Sequence, residues 1–498
     1  MKYHVALKRV VVALLVAVLW ISAASGQVST VTDECIACHA SVTPGLVDNW
    51  RKSRHANVTP AEALKKTELQ RRLSADSIPE KLAGVVVGCA ECHTLNAASH
   101  KDTFVHHDQQ IHLTVTPKDC AVCHLVEARQ YEKNLMSHAR KNLVGNPAYQ
   151  ALIEATNAPH VFDGAQISLG PVDTKTNEES CFHCHGTAVE VTGKEIRGTD
   201  FGDMEFPKLS GWPNQGVGRF NPDGSQGSCS SCHPRHQFSI KGARKPHTCS
   251  QCHKGPDVPA YKIYSVSKHG NLAASLGGES KYEEVPWVVG KDFSAPTCAA
   301  CHVSLVVTSE GDVISKRTHQ MNDRLPWRLF GLPYAHPHPA SPDTTIIRNK
   351  EGISLPTSFD GTPASGKFLI GKDEQNKRRE AMQRLCLACH TRDWVNGHWE
   401  RLENTIASTN LMTLTATQIM QQAWTLGLAD PHRSMFDEAV EKLWTEQWLF
   451  FANSVRLASA MMGADYGVFA DGRWQMAKRI QELNDYVTFL RVTKQSKP

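Results

Sequence analysis

Beyond its first 26 residues, the sequence has no apolar run long enough to span a membrane, which argues against an integral membrane protein. Charge of one sign is also lacking, because 54 Lys and Arg face 50 Asp and Glu, for a formal net charge of +4. Hydrophobic residues make up 41% of the chain and charged residues 21%, so the composition indicates neither disorder nor a nucleic-acid-binding protein. We therefore expect a globular protein with no nucleic-acid partner.

The first 26 residues have the pattern of a secretory signal peptide. Basic side chains precede an apolar run, Val10–Ile21, that is too short to span a bilayer comfortably, and small residues follow before Gln27. We expect cleavage near Gln27 and delivery of the mature chain to the periplasm or an equivalent extracytoplasmic compartment. The alternative is an uncleaved membrane anchor. The basic residues are Lys2, Lys8 and Arg9.

No cysteine lies outside one repeated pattern, C-x-x-C-H, and no C-x-x-C-K variant occurs. The 16 cysteines form eight pairs: Cys35 and Cys38, Cys89 and Cys92, Cys120 and Cys123, Cys181 and Cys184, Cys229 and Cys232, Cys249 and Cys252, Cys298 and Cys301, Cys386 and Cys389. A histidine follows each pair directly: His39, His93, His124, His185, His233, His253, His302 and His390. The intervals between the motifs have no fixed period, which argues against a solenoid repeat protein.

This pattern is the attachment site of haem c. Two thiols one turn apart reach the two vinyl groups of one porphyrin, and the adjacent histidine ligates the iron as its proximal ligand. A zinc site would not need a histidine after every second cysteine, and a disulfide framework would not place all cysteines in identical pentads. The eight motifs therefore predict eight covalently attached haems with their iron.

The histidines outside the motifs are candidates for distal iron ligands. Five lie in short polar segments: His55, His138, His236, His269 and His319. A cluster of His100, His106, His107 and His112 should supply two more, which we assign to His107 and His112. Seven distal ligands for eight haems would permit one iron with an open coordination site. Such a site distinguishes a catalyst from an electron carrier.

The motifs divide the chain into unequal parts. Residues 27–302 carry the first seven motifs, and residues 303–390 contain a long Pro- and Gly-rich loop followed by the eighth. Residues 391–498 lack cysteine, and helical apolar spacing runs from Asp437 to Met462 and again from Arg473 to Val492. We expect a mainly α fold with a haem-packed core, short helices, long loops, very little sheet and long helices at the C-terminus.

Five short segments carry a resemblance to a known family. They are Val115–Cys120 before the third motif, Cys232–Ser239, Gly255–Asp257, Ser267–Gly270 and Gly463–Tyr466. With the eight motifs, they make the chain similar to the octahaem hydroxylamine oxidoreductase family over nearly all of its mature length. The resemblance implies a five-coordinate, catalytic fourth haem on Cys181, Cys184 and His185, with the other seven haems as bis-histidine electron carriers. It also implies a homotrimer or a multiple of one.

The resemblance suggests candidate catalytic residues. In oxidative members, a tyrosine of the neighbouring subunit bonds covalently to the catalytic porphyrin, and Tyr466, predicted at a turn that lets it project from its own subunit, is the residue in the matching context. Those members carry Asp-His after the Gly-Pro of the sixth-haem region, whereas this sequence has Asp257-Val258. Asp257 can still exchange protons, but the histidine partner is missing. His336 or His338 in the long loop could substitute, and Tyr334 beside them is a further candidate for the pocket.

The implied activity is multi-electron redox conversion of a small nitrogen compound at the fourth haem. Because Val258 removes a base that oxidation would use, we favour reduction of nitrite, nitric oxide or hydroxylamine. The alternatives are oxidation of hydroxylamine or hydrazine with a crosslinked tyrosine, and electron transfer without catalysis. An electron-transfer protein would be a partner in each case, and a second subunit of the same type would be compatible with the sequence. A reductase with a lysine proximal ligand is argued against, since that ligand requires C-x-x-C-K.

Overall fold

The computed structural model describes residues 26–496, so the predicted signal peptide lies outside the described residues except for Gly26. Helices dominate, as the sequence predicts. In chain order they are α1 Thr30–Val42, α2 Pro44–Arg51, α3 Pro60–Leu64, α4 Glu80–Ala83, α5 Cys89–His93, α6 Pro117–Cys120, α7 Leu125–Glu132, α8 Ala139–Val144, α9 Pro147–Asn157, α10 Thr174–Glu179, α11 Cys181–His185, α12 Ile240–Arg244, α13 Pro246–Ser250, α14 Ala260–Val266, α15 Lys268–Ser275, α16 Cys298–His302, α17 Lys372–Leu387, α18 Arg392–Thr425, α19 Ala439–Thr445, α20 Asn453–Met461 and α21 Arg473–Gln495.

The strands are short and form small, separate sheets. They are β1 Thr103–His106, β2 Gln109–His112, β3 His160–Phe162, β4 Ile167–Leu169, β5 Glu190–Thr199, β6 Gly202–Ser210, β7 Trp287–Val288, β8 Val306–Val307, β9 Val313–Ser315, β10 Trp327–Arg328 and β11 His336–Pro337. Four sheets are antiparallel two-stranded pairs: β1–β2, β3–β4, β5–β6 and β10–β11. The fifth has three strands, in which β8 pairs in parallel with β7 and antiparallel with β9. The largest hairpin, β5–β6, follows the fourth motif directly and is mostly exposed.

Most of the motifs lie on very short helices or tight turns, whereas the first lies within α1 and the eighth begins in the last turn of α17. The second, fourth and seventh motifs are α5, α11 and α16 themselves, each five residues long. One helical turn brings both cysteines and the histidine to one side of the backbone, as attachment to a single porphyrin requires. The surrounding loops follow from the spacing of the motifs, because little chain remains between neighbouring sites for longer elements.

The largest apolar cluster belongs to the C-terminal helices. Met420 of α18, Trp444 of α19 and Leu483 of α21 are almost fully buried in it, and Trp444 packs edge to face with Trp448 at 5.6 Å between ring centroids. Each buried indole removes a large apolar surface from water, so this bundle needs no cofactor for its core. A π-helical segment, Glu446–Ala452, joins α19 to α20. Among the described residues, no helix is long and apolar enough to cross a membrane.

One prediction about the fold needs correction. The cysteine-free loop expected to reach residue 385 ends earlier, because α17 begins at Lys372 and runs 16 residues into the eighth motif. Its sequence is rich in Lys, Arg and Glu, which favour helix without producing an apolar stripe. The C-terminal predictions fit the structure better: α19, the π segment and α20 together cover 439–461, and α21 begins at Arg473.

Candidate haem-binding and catalytic site

The motifs surround a large internal space. A cavity of about 2580 Å³ is lined by cysteines or histidines of the second to eighth motifs. All sixteen cysteines are free, although several lie close to a cysteine of another motif. Burial lowers the pKa of the motif histidines His93, His233 and His302 to about 4, so these imidazoles are neutral at ordinary pH. Neutral imidazole is the form that ligates a metal.

Four motif histidines face a histidine from elsewhere in the chain at the spacing of a bis-histidine haem. In a bis-histidine haem, each imidazole nitrogen lies about 2 Å from the iron, and each ring centroid lies half a ring width farther out. The two centroids are therefore roughly 6 Å apart. The observed pairs are His39 with His106 at 6.2 Å, His124 with His55 at 6.2 Å, His233 with His319 at 6.5 Å, and His390 with His269 at 6.1 Å. His55, His269 and His319 are thus opposite motif histidines, where the sequence predicted distal ligands.

The histidine cluster differs from its prediction in two ways. His106, at the end of β1, faces His39, whereas His107 is exposed and its backbone has a positive φ of 47°. His112 lies 6.0 Å from His93, but its backbone oxygen accepts a hydrogen bond from His93 Nδ1 at 2.7 Å. His112 therefore lies on the Nδ1 side of the His93 ring. If His93 binds iron through Nε2, its Nδ1 side faces away from the iron, and His112 faces away with it. The assignments of His107 and His112 as distal ligands do not fit this geometry.

Two other predicted distal ligands have no motif partner at ring-pair distance. His236 lies near enough to His93 for its charge to lower the pKa of that ring, and its own Nδ1 is buried without a partner. His138 Nε2 donates to the backbone oxygen of Glu132 at 3.0 Å, and the Nδ1 of the same ring is buried without a partner. The residue after His138, Ala139, has its oxygen 3.3 Å from His185 Nδ1, so His138 adjoins the Nδ1 side of the fourth motif.

His100 of the same cluster is clamped between carboxylates instead. Its ring stacks on His112 with 3.5 Å between centroids, its Nδ1 lies 3.4 Å from Asp102, and its Nε2 lies 3.2 Å from Asp119. Burial opposes a charge on this ring, but the two carboxylates outweigh it and raise the pKa of His100 to about 9. At neutral pH, His100 is therefore a buried cation that links the segment before the third motif to the end of β2.

Thiol contacts show which motifs are neighbours. Cys35 faces Cys89, Cys120 faces Cys229, Cys184 faces Cys252, and Cys249 faces Cys298. Weaker electrostatic contacts connect the second motif to the third, the fifth to the sixth and the seventh to the eighth. The motifs therefore form one connected series, with the fourth beside the sixth.

The surroundings of His185 in the fourth motif differ from those of the paired histidines. None of the observed ring pairs contains it. Burial lowers the pKa of His185, and of the two nearby charges the Asp257 carboxylate raises this pKa whereas the Arg328 guanidinium lowers it. Asp257 also acts on Cys181 and Cys184. The segment Lys254–Val258 thus places its carboxylate at the fourth motif, where the sequence predicted it.

Arg328 was missed by sequence reasoning. It lies in β10 directly opposite His336 in β11, so both side chains belong to one register pair. Its Nε is buried without a partner. His336 is buried, with Nδ1 2.7 Å from the oxygen of Pro337 and a free Nε2, and burial and Arg328 hold its pKa near 3. The sequence signal was a basic residue, Arg328, in the same Pro-rich loop as His336 and His338.

Two candidate tyrosines are not on the cavity wall. Tyr334 is 1% exposed, and its hydroxyl donates to the oxygen of Phe359 at 2.7 Å, so it points into the helical bundle. Burial raises its pKa to about 12. Tyr466 is 7% exposed and packs on Ile263 and Leu457 of its own chain rather than projecting from a turn. It begins a second π-helical segment, Tyr466–Ala470, that covers the expected turn.

The residues present fit haem c in number, chemistry and spacing. Free thiols sit one turn before each motif histidine, neutral imidazoles face each other at bis-histidine distance, and a continuous cavity separates them. Several buried imidazole nitrogens also lack any protein partner, as axial ligands would. All of these thiols and imidazoles lie within residues 26–496, the part of the chain that the structure describes.

Sequence families match two parts of the chain. Residues 221–326 match the family described as "Seven times multi-haem cytochrome CxxCH", and residues 34–125 match "Cytochrome c554 and c-prime". A curated relative from Kuenenia stuttgartiensis, "Probable nitrite reductase-hydroxylamine oxidoreductase fusion protein", is 24% identical over 386 residues. That alignment covers 74% of this chain but only 35% of the relative, so the chain spans about a third of that protein.

Solved structures share the whole fold. A "Hypothetical multiheme protein" is 39% identical, has a TM-score of 0.89 and aligns over 95% of this chain and 98% of its own. The "Kuenenia stuttgartiensis reducing HAO-like protein complex Kustc0457/Kustc0458" is 18% identical, with a TM-score of 0.57 over 93% of this chain and 86% of that one, which is a likeness of fold. On this evidence the chain is a multihaem c-type cytochrome that has the fold of a hydroxylamine oxidoreductase-like protein.

Proposed function

We propose that the chain carries eight haems c and reduces a small nitrogen compound at the fourth. The observation that carries this proposal is the environment of His185, which has both Asp257 and Arg328 within electrostatic reach. Among the described residues no imidazole faces it; His253 and His302 share that feature, but Arg328 does not act on them. A charged pair beside one motif suits a substrate site, whereas a facing imidazole suits an electron carrier. Bound at Cys181 and Cys184, the haem would supply an open iron and the electrons.

The protein residues have separate roles in this proposal. Arg328 attracts an anionic substrate such as nitrite, because its guanidinium has a free buried N–H. Asp257 exchanges protons with the bound substrate. His336 stays neutral beside Arg328, since its pKa is near 3, and its buried Nε2 has no protein partner. His236 is the proposed ligand opposite His93.

The reductive direction is supported by two features of the chain. Val258 stands where oxidative relatives carry a histidine that would accept protons. Tyr466 packs against Ile263 and Leu457 in its own chain, which disfavours a bond to the porphyrin of a neighbouring subunit. Reduction consumes protons: nitrite, one electron and two protons give nitric oxide and water, and hydroxylamine, two electrons and three protons give ammonium and water.

The assembly and its location are part of the proposal. Large apolar side chains are exposed on the C-terminal helices and the segment between them, and they would be covered in a trimer: Leu411, Phe469, Trp474, Phe489 and Val492. Cys38 and Cys389, the exposed motif cysteines, make the first and eighth haems the points of contact for an electron-transfer protein. Haem attachment by thioether bonds accords with an extracytoplasmic compartment.

Steady-state assays of purified holoprotein test the function. We expect turnover with nitrite or hydroxylamine and a reduced electron donor, and slower turnover with hydroxylamine or hydrazine and an oxidant. Faster oxidation would support the alternative direction. The absence of turnover with every substrate, together with rapid electron exchange between the haems, would support the electron-transfer alternative and contradict the proposal.

A further inference from the structure

A carboxylic acid is buried in the C-terminal bundle, away from every haem motif. Glu441 of α19 is 0% exposed. Its Oε1 accepts a hydrogen bond from Trp424 Nε1 at 2.9 Å, and its Oε2 accepts one from the backbone N–H of Glu438 at 3.1 Å. No cation contacts it among the described residues, and the charges that act on it, Glu438 and Asp437, are both negative. The next acid along the chain, Glu446, is paired with Arg479 of α21.

On its outer side, Glu441 lies beneath a depression in the surface. This depression has a volume of about 320 Å³ and is bounded by Trp424, Asp430, His432 and Glu438. Trp424 and Glu438 are the same two residues that donate hydrogen bonds to the Glu441 carboxyl group. The Trp424 indole and the Glu438 backbone therefore border both the carboxyl group and the depression.

On its inner side, Glu441 begins a stripe that reaches the haem cavity. Thr445 lies one helical turn later, lines the cavity and has a buried hydroxyl with no partner. Leu449 and Asn453 continue the stripe at the same spacing and also line the cavity. Asn453 Nδ2 donates to the backbone oxygen of Asp257 at 3.2 Å. Thr445 therefore places this face of α19 at the cavity wall, and Asn453 contacts the segment that carries Asp257.

We propose that Glu441 delivers protons from the surface depression to the substrate pocket of the fourth haem. This inference deepens the proposed function, since reduction of nitrogen compounds consumes protons. The Glu441 carboxyl group gives its proton to the Thr445 hydroxyl, which releases its own proton to the cavity, and the carboxylate regains a proton from solvent through the depression; no electron moves at Glu441. Glu441 is a proton-delivery residue and touches neither substrate nor haem.

The chemistry of the carboxyl group suits this role. Burial raises the pKa of Glu441 to about 7, so protonated and ionised forms coexist at neutral pH, as a proton donor that is refilled in each turnover requires. The alternative role is structural, because Glu441 and Glu438 form a capping box at the start of α19. That role needs two hydrogen-bond acceptors, of which glutamine retains one, so part of the cap survives the substitution while the exchangeable carboxyl proton is lost. Glu441→Gln therefore separates the two roles.

Infrared spectroscopy of the holoprotein tests the proton site without substrate. We expect a protonated-carboxyl C=O band that titrates near pH 7, shifts soon after transfer into D2O and is missing in Glu441→Gln. Glu400→Gln, an exposed acid-to-amide change on α18, is the matched control and should retain the band. Persistence of the band in Glu441→Gln, or its failure to exchange with D2O, would overturn the inference.

Turnover supplies the second readout. With a reduced donor and nitrite or hydroxylamine, Glu441→Gln should lower kcat by a factor of roughly ten to a hundred with KM unchanged, because substrate binding does not involve Glu441. The fall of wild-type kcat as pH rises through about 7 should vanish in the variant. Equal kcat in both proteins overturns the inference. An inactive wild type overturns the proposed function instead, and the infrared result then decides the role of Glu441.

Discussion

Replacing His106 by alanine should open the first haem and leave the others unchanged. The His106 ring faces His39 with 6.2 Å between centroids, which is the separation expected for two axial ligands of one iron. Its loss converts one of the seven predicted low-spin haems to high spin, which removes about a seventh of the low-spin signal. The hairpin should persist, because His106 pairs with Gln109 through backbone hydrogen bonds that alanine retains.

His107→Ala is the matched control, since His107 is the next residue and is exposed. Absorption, magnetic circular dichroism and electron paramagnetic resonance of both holoproteins, with haem content checked by intact mass, give the comparison. We expect a new high-spin component in His106→Ala alone. The reverse result, a high-spin component in His107→Ala with an unchanged His106→Ala, would refute the reasoning and restore the assignment made from the sequence.

Three further predictions concern the pocket, the buried cation and the tyrosine. Asp257→Asn should retain all eight haems but slow proton-coupled turnover roughly a hundred- to ten-thousandfold, measured as kcat across pH; an unchanged pH profile would remove Asp257 from the mechanism. Folding raises the pKa of His100 from its ordinary value of 6.5 to about 9. Protonated His100 should therefore stabilise the folded state fully below pH 6.5, and this stabilisation should be lost as pH rises through about 9. At ~1.4 kcal/mol for each pKa unit, this loss is about 3 kcal/mol in the free energy of unfolding by denaturant, and it should disappear in His100→Gln. The Tyr466 peptide should appear at its unmodified mass after proteolysis; recovery only as a conjugate with the Cys181–His185 haem peptide would favour the oxidative direction.

Features that depend on adjacent residues could be predicted from the sequence. A C-x-x-C-H motif carries its own chemistry, because thioether attachment and proximal ligation need only one helical turn. The start of α21 at Arg473 was predicted for a similar reason, since helical periodicity is a local signal. Helix α17 was missed because its charged sequence has helix propensity but no apolar stripe.

Features that depend on distant residues could be predicted only in part. Distal ligands come from remote segments: His319 faces His233, and His269 faces His390, across long stretches of chain. The choice between His106 and His107 depends on where β1 ends, because His106 is the last strand residue whereas His107 lies in the turn with a positive φ. Tyr466 was expected to project because it follows a helix, but the pocket formed by Ile263 and Leu457 encloses it.

The proposed function requires that the iron of the fourth haem has a free coordination position and reacts there with substrate. Electron paramagnetic resonance of the fully oxidised holoprotein, recorded before and after addition of nitrite or hydroxylamine, tests it most directly. We expect one high-spin ferric haem among otherwise low-spin haems, and a change in that signal alone when the ligand is added. Only low-spin signals, with no response to either ligand, would contradict it.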